Sequence, residues 1–147
     1  MRTSWDDALD SPDASVTEHV RRYLATDGED GYLEGGVPNL VLTVIGRTSG
    51  RPRRTCLFFG EDDGRYVLVA SGSAITHRHP HWYLNAMAHP EVHVQVRAEK
   101  FLARARTAEG AERERLWRRM TRLAPVYATH YEPRSRRVIP VVVLERG

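Results

Sequence analysis

Cysteine occurs once in this 147-residue chain, as Cys56. That excludes an internal disulfide and any cysteine-rich zinc site, and it agrees with a reducing cytoplasm. Lysine also occurs once: twenty-one of the twenty-two basic residues are arginine, Lys100 being the exception. A GC-rich genome produces that bias as readily as a ligand does, so only the clustering of arginines carries information about function. No run of eighteen apolar residues is present, and the opening MRTSWDDALDSPDAS holds acids where an export signal needs an apolar core. Neither stable membrane insertion nor export is expected. No Gly-Lys-Ser/Thr follows a glycine loop, no G-x-G-x-x-G opens a helix, and neither H-E-x-x-H nor a Ser-His-Asp arrangement is found. These absences remove the Walker loop, the dinucleotide fingerprint and the common hydrolase constellations. The length suits one domain able to bury its own core.

What is present is concentrated between Leu40 and Phe59, LVLTVIGRTSGRPRRTCLFF. Leu40 to Ile45 is apolar at nearly every position, as expected of a strand buried on both faces or lining a small barrel. Gly46, Ser49, Gly50 and Pro52 then supply turn chemistry, and Arg47, Arg51, Arg53 and Arg54 crowd around it with no acid. Four guanidinium groups this close repel one another unless water or an anion intervenes, and each presents a fork suited to phosphate or carboxylate. Any one of them taken singly is as well read as solvated surface. Together, at the end of a buried strand, they point to an anionic ligand.

Residues 1–14 lack periodicity and read as a mobile lead-in to a single domain over 15–147. Ser15 to Glu18 fits a capping box, with Val16, Val20, Tyr23 and Leu24 on one helical stripe and Gly28 placed to end the helix. Residues 27–38 read as a loop. Thr55 to Phe59 is expected to pair with Tyr66 to Ala70 across Glu61-Asp62-Asp63-Gly64, and Cys56 within it to be a small packing residue. Pro80 suits the first turn of a short helix, HWYLNAMA. Val92 to Val96 and Phe101 to Ala105 alternate as strands. Thr107 is placed to cap a helix from about Ala108 to Leu123, with Leu116, Met120 and Leu123 inward, and Val138 to Leu144 reads as a last buried strand. His77, His79 and His81 would share a face on a strand, but Pro80 argues against one, so they read as a polar rim rather than a metal site. About six strands and three helices that do not alternate as βαβ units describe a mainly β (α+β) fold, an antiparallel barrel flanked by helices.

Three stretches, LVLTVIGRTSGRPRRT, VASGSAITHRHPHWYLNAMAHPEVHVQV and RRVIPVVVLE, together resemble the deazaflavin-dependent nitroreductase and quinone reductase family of actinobacteria. The resemblance implies a split β-barrel that uses reduced coenzyme F420, an 8-hydroxy-5-deazaflavin, in preference to FMN. It places Arg47, Thr48, Ser49, Gly50, Arg53 and Arg54 at the coenzyme's phosphate and acidic tail. Thr55, Cys56, Leu57, Phe58, Ala70, Ser71, Pro80, Trp82, Tyr83 and Asn85 would line the ring and its linker. Ser71, Tyr127 and Tyr131 would face the acceptor, Ser71 donating a hydrogen bond to a quinone, nitro or enone oxygen and the tyrosines supplying a face or a proton. Many members carry lysine where this chain has Thr48 and Gly72, leaving Arg51, Arg54 or Arg78 as substitutes, and some carry tyrosine at Phe58. The implied partner is a small-molecule acceptor, with a homodimer compatible. A binding module of the same fold, holding a flavin, tetrapyrrole or lipid without turnover, is the alternative. An RNA-binding barrel would need aromatics interleaved with the arginines, and the turn has none.

Overall fold

The computed structural model describes residues 5–72, 78–135 and 137–147. Helix α1 (Ala14–Thr26) leads into strands β1 (Asn39–Ile45), β2 (Pro52–Phe58), β3 (Gly60–Asp62) and β4 (Arg65–Val69). Helix α2 (His81–Ala88) precedes β5 (Glu91–Val96) and β6 (Glu99–Thr107). Helix α3 (Gly110–Leu123), a π-helical turn (Tyr127–Tyr131) and β7 (Val141–Arg146) complete the chain. Among the described residues no helix is long and apolar enough to cross a membrane.

All the strand pairs are antiparallel, in the order β2-β1-β5-β6-β7-β4-β3. β2 and β3 occupy opposite edges, yet Phe59 alone separates them. One residue spans at most about 3.6 Å of chain, whereas seven flat strands would hold their edges roughly 29 Å apart at about 4.8 Å per strand. The sheet must therefore curl until its edges meet at Phe59, which is what makes it a split barrel.

Alternation along the strands sorts residues into two shells. Leu40, Leu42, Val44, Leu68, Val92, Val94, Phe101, Val142 and Leu144 fill the interior. Val67, Val69, Val141 and Val143 point the other way and bury Leu116, Trp117 and Met120 of α3. Val41, on the outer face of β1, meets Val20 and Tyr23 of α1. Strands covered on both faces need apolar residues at every position, which is why β1 and β7 read as continuous runs.

Several expectations shift by a few residues or change partner. Strand β2 pairs with β1, Leu42 opposite Thr55, while the Asp63-Gly64 turn joins β4 to the short β3, a seventh strand the sequence hides. Both turn residues take positive φ, 51° and 76°, as a two-residue hairpin of this kind requires. Asp13, not Ser15, caps α1, its carboxylate accepting from the Ser15 backbone N–H at 2.9 Å. Pro80 stands just before α2 rather than within it, and Thr107 belongs to β6, so α3 starts at Gly110 without a side-chain cap. Leu123 is more exposed than a core residue and Trp117 takes the inward place beside Leu116. Val138 is 75% exposed, so the last strand begins only at Val141.

Residues 5–14 lie against the barrel rather than apart from it. The Leu9 N–H donates to the Pro52 carbonyl at 2.8 Å, the Arg54 N–H donates to the Leu9 carbonyl at 3.3 Å, and Trp5 stacks on His93. The arm thereby covers the free edge of β2, which would otherwise present unpaired backbone groups.

Tyr23 ties α1 to the sheet. Its hydroxyl is buried, accepts from the Arg97 N–H at 2.7 Å and donates to the Asn39 carbonyl at 3.0 Å. Tyr23→Phe removes no packing but leaves both backbone groups short of a partner, and we expect a loss of about 1–3 kcal/mol in urea unfolding. An unchanged midpoint would show that water replaces the hydroxyl freely.

Candidate functional site

The β1–β2 connection is built from residues that tolerate tight folding. The Gly46 N–H donates to the Arg51 carbonyl and the Gly50 N–H to the Gly46 carbonyl, both at 2.8 Å, and the Ser49 hydroxyl accepts from the Arg51 N–H at 3.2 Å. Gly50 takes φ +70°, and a Cβ on Gly46 would stand 2.6 Å from the Ser49 hydroxyl oxygen. Glycine at 46 is therefore required by contact and at 50 by conformation.

The turn is locked to α2 by one amide. Asn85, only 4% exposed, accepts on Oδ1 from both the Arg47 backbone N–H at 3.0 Å and the Arg47 guanidinium at 2.7 Å. His81 Nδ1 lies 3.2 Å from the same guanidinium. A neutral amide holds the cation in place without cancelling its charge, which a carboxylate would do.

Between the turn, β2 and α2 opens a cleft of about 590 Å³. Of the residues assigned to the coenzyme, Arg47, Thr48, Ser49, Arg53, Arg54, Thr55, Trp82 and Asn85 line it, joined by Val44, His81 and Asp10 to Pro12. Arg53 and Thr55 share the face of β2 that meets Val44 and Leu42, whereas Arg54 projects from the opposite face and pairs with Asp10 at 2.9 Å. Neither Arg47 nor Arg53 has an ion-pair partner among the described residues. Arg51 does not line the cleft.

The remaining assigned residues go elsewhere, for reasons of strand alternation. Cys56 faces α1 and packs by Val20, Tyr23 and Val41. Leu57 enters the barrel interior, and Phe58 turns outward with its ring edge-on to Tyr127 at 6.3 Å. Tyr83 points away from the cleft, its hydroxyl 2.8 Å from that of Thr107 and its ring 5.0 Å from that of His79. Gly50 shapes the turn without facing the cleft. Pro80 abuts Gly72, whose added Cβ would lie 3.4 Å from the proline ring.

Ser71, Tyr127 and Tyr131 are likewise outside the cleft lining. Ala70 and Ser71 leave β4 with their carbonyls held by the Arg137 guanidinium, at 3.2 and 2.8 Å. Tyr127 is buried with Phe58 and Tyr131 in the cluster under α3, and burial pushes its phenol well above the usual range, which makes it a poor proton donor. His77 lies outside the described residues. His79, beside Arg137, is driven toward its neutral form by burial, and no group of three or more metal-ligating side chains occurs among the described residues. Asp10 and Arg137 were not marked by any local pattern, and His81 was marked only as part of the polar rim; the partners of all three lie at least 34 residues away in the chain.

Residues 15–146 match the family described as F420H(2)-dependent quinone reductase. An F420H(2)-dependent quinone reductase of Mycobacterium tuberculosis is 34% identical over 131 residues, which are 87% of each chain. A solved structure described as an F420-H2 dependent reductase, FDR-A, is 36% identical with a TM-score of 0.66, over 74% of this chain and 94% of that one. Another, described as a domain-swapped dimer, is 34% identical with a TM-score of 0.69, over 92% of this chain and all of the other.

Two outcomes check this geometry. Asn85→Ala should lower unfolding stability by about 1–3 kcal/mol, because Arg47 loses the acceptor for its part-buried N–H, whereas loss of only a solvated contact would leave the melting temperature unchanged. Burial raises the Cys56 thiol to about 12. Its thiolate fraction at pH 8 is then roughly a thousandfold below that of a free cysteine, and alkylation should be slow and gain about tenfold per pH unit up to pH 11. Labelling at the rate of a free thiol would place the sulfur in solvent.

Proposed function

The chain belongs to the F420H(2)-dependent quinone reductase family, and from that membership we propose that it reduces a quinone-like, planar, electron-poor acceptor with reduced coenzyme F420. The observation that carries the reading is the pair Arg47 and Arg53, exposed in a cleft and, among the described residues, without ion-pair partners, on a turn that Asn85 holds rigid. Two forks of fixed position suit a phosphate and the acidic groups that follow it.

The residues present fit such a ligand. The cleft is cationic at the turn and apolar toward Val44 and Trp82, so a molecule with a charged tail and a flat ring finds matching surface at both ends. When bound, the reduced coenzyme supplies a hydride to an electron-poor carbon. The protein's part is to orient and to exclude water. Arg47 and Arg53 anchor the tail, Trp82 and Thr55 confine the ring, and His81 and Asn85 keep the Arg47 fork from rotating. Ser71, assigned to the acceptor side, is held at the exit of β4 by the grip of Arg137 on its carbonyl. Its hydroxyl is the group assigned to stabilise charge arriving on the acceptor oxygen. Tyr131 packs beside Tyr127 as part of an aromatic wall on that side, with Tyr127 a packing residue rather than an acid. A homodimer belongs to the same proposal, supported by the likeness to a structure described as a domain-swapped dimer.

The test is a titration with oxidised coenzyme F420, followed by turnover of the reduced form with a simple naphthoquinone. Arg53→Ala should weaken binding roughly tenfold or more, less at high salt. Absence of binding to the wild-type protein overturns the proposal, and binding without oxidation of the reduced coenzyme makes the protein a binding module.

A further inference from the structure

Arg54 borders the cleft at the edge of β2 along which the arm runs, and its guanidinium is already engaged. Asp10 Oδ1 accepts from Arg54 Nε at 3.1 Å and from its terminal nitrogen at 2.9 Å. The acid is brought there by the arm, whose Leu9 is hydrogen bonded to Pro52 and Arg54 along the edge of β2, and Asp10, Ser11 and Pro12 form part of the cleft wall. Three arginines are among the residues that line the cleft, Arg47, Arg53 and, at its edge from the opposite face of β2, Arg54, and Asp10 is the sole acid among those residues. Arg47 is held by an amide oxygen and an imidazole nitrogen, and Arg53 has no ion-pair partner among the described residues, whereas Arg54 is neutralised by a carboxylate that any incoming anion must either displace or avoid.

We propose that Asp10 is a specificity-determining residue, which restricts the charge the cleft accepts by occupying Arg54 and so disfavours ligands with long polyanionic tails. This rests on the assignment of the arginine turn to the coenzyme's acidic tail. A tail with few acidic groups is satisfied by Arg47 and Arg53. A longer one reaches the arm, meets the half-exposed carboxylate of Asp10 and is repelled, because like charges at short range in a partly enclosed cleft are screened less than on open surface. The arm follows β2 through backbone hydrogen bonds, so Asp10 stays at the cleft even when its side chain rotates away from Arg54.

The test uses the full chain and the variants Asp10→Asn, Asp10→Ser and Asp7→Asn, the last removing an exposed acid of the same arm that does not line the cleft. Each is titrated with oxidised coenzyme F420 carrying few or many tail carboxylates, at two salt concentrations, and separately with tripolyphosphate as a plain polyanion. Both Asp10 variants should bind the long-tailed coenzyme and tripolyphosphate about three- to tenfold more tightly at low salt, with a steeper loss of affinity as salt rises. The short-tailed coenzyme should change little, Asp7→Asn should behave as wild type, and melting temperatures should stay within a few degrees. Equal affinities for wild type and both Asp10 variants, or an equal gain in Asp7→Asn, overturn the inference while leaving the coenzyme assignment standing. If the wild-type protein binds no form of the coenzyme, that assignment fails, and the tripolyphosphate series still decides whether Asp10 limits charge in the cleft.

Discussion

The single-residue step at Phe59 constrains everything else in the molecule. Because β2 and β3 lie at the two edges of the sheet, a chain that passes from one to the other through one residue permits only a curled sheet. Phe59 marks the seam, its ring between those of Tyr32 and Tyr66 and its N–H bonded to the Pro38 carbonyl. Closure leaves the β1–β2 turn projecting from one end, where α2 crosses and supplies Asn85, His81 and Trp82. The cleft is thus a consequence of how the barrel shuts rather than of the turn alone.

Within that frame, the chemistry of the cleft depends on which groups hold its cations. Arg47 is held by an amide oxygen and an imidazole nitrogen, so its position is set while its charge remains available. Arg54 is held by a carboxylate, so its position is set at the expense of its charge. Adjacent residues of one strand thereby serve different ends, because alternation sends Arg53 into the cleft and Arg54 toward the arm. At the far end of β4 the Arg137 guanidinium is spent on two main-chain carbonyls, with no acid paired to it among the described residues, and it serves to hold Ser71 in place.

Much of the fold was legible because its signals are local. The apolar stripe of α1, the alternation of β5 and β6, the Asp63-Gly64 turn and the cationic β1–β2 turn each depend on spacings of a few residues, and each occurs where expected. Errors gathered where two local signals competed. Asp13 and Ser15 are both good helix caps two residues apart, and backbone geometry selects the first. Thr55 to Phe58 and Gly60 to Asp62 form one apolar-to-acidic run, and only the change of neighbour at Phe59 divides it into two strands. Of the residues assigned to the site, those of the turn that face inward, together with Trp82 and Asn85 of α2, line one cleft. Cys56, Leu57, Phe58 and Tyr83 lie outside that lining, because alternate faces of a strand or helix look onto different compartments.

By itself, the sequence determined that this chain is a β-rich barrel with flanking helices and a rigid, arginine-bearing turn, since periodicity and turn chemistry act over distances shorter than one element. Only the tertiary structure decided which arginines remain available to a ligand. That choice rests on Asp10, thirty-odd residues and more before the turn, and on His81 and Asn85, which follow it at similar remove. Charge compensation depends on separation in space, and separation in space is settled by closure of the barrel, which no local spacing encodes.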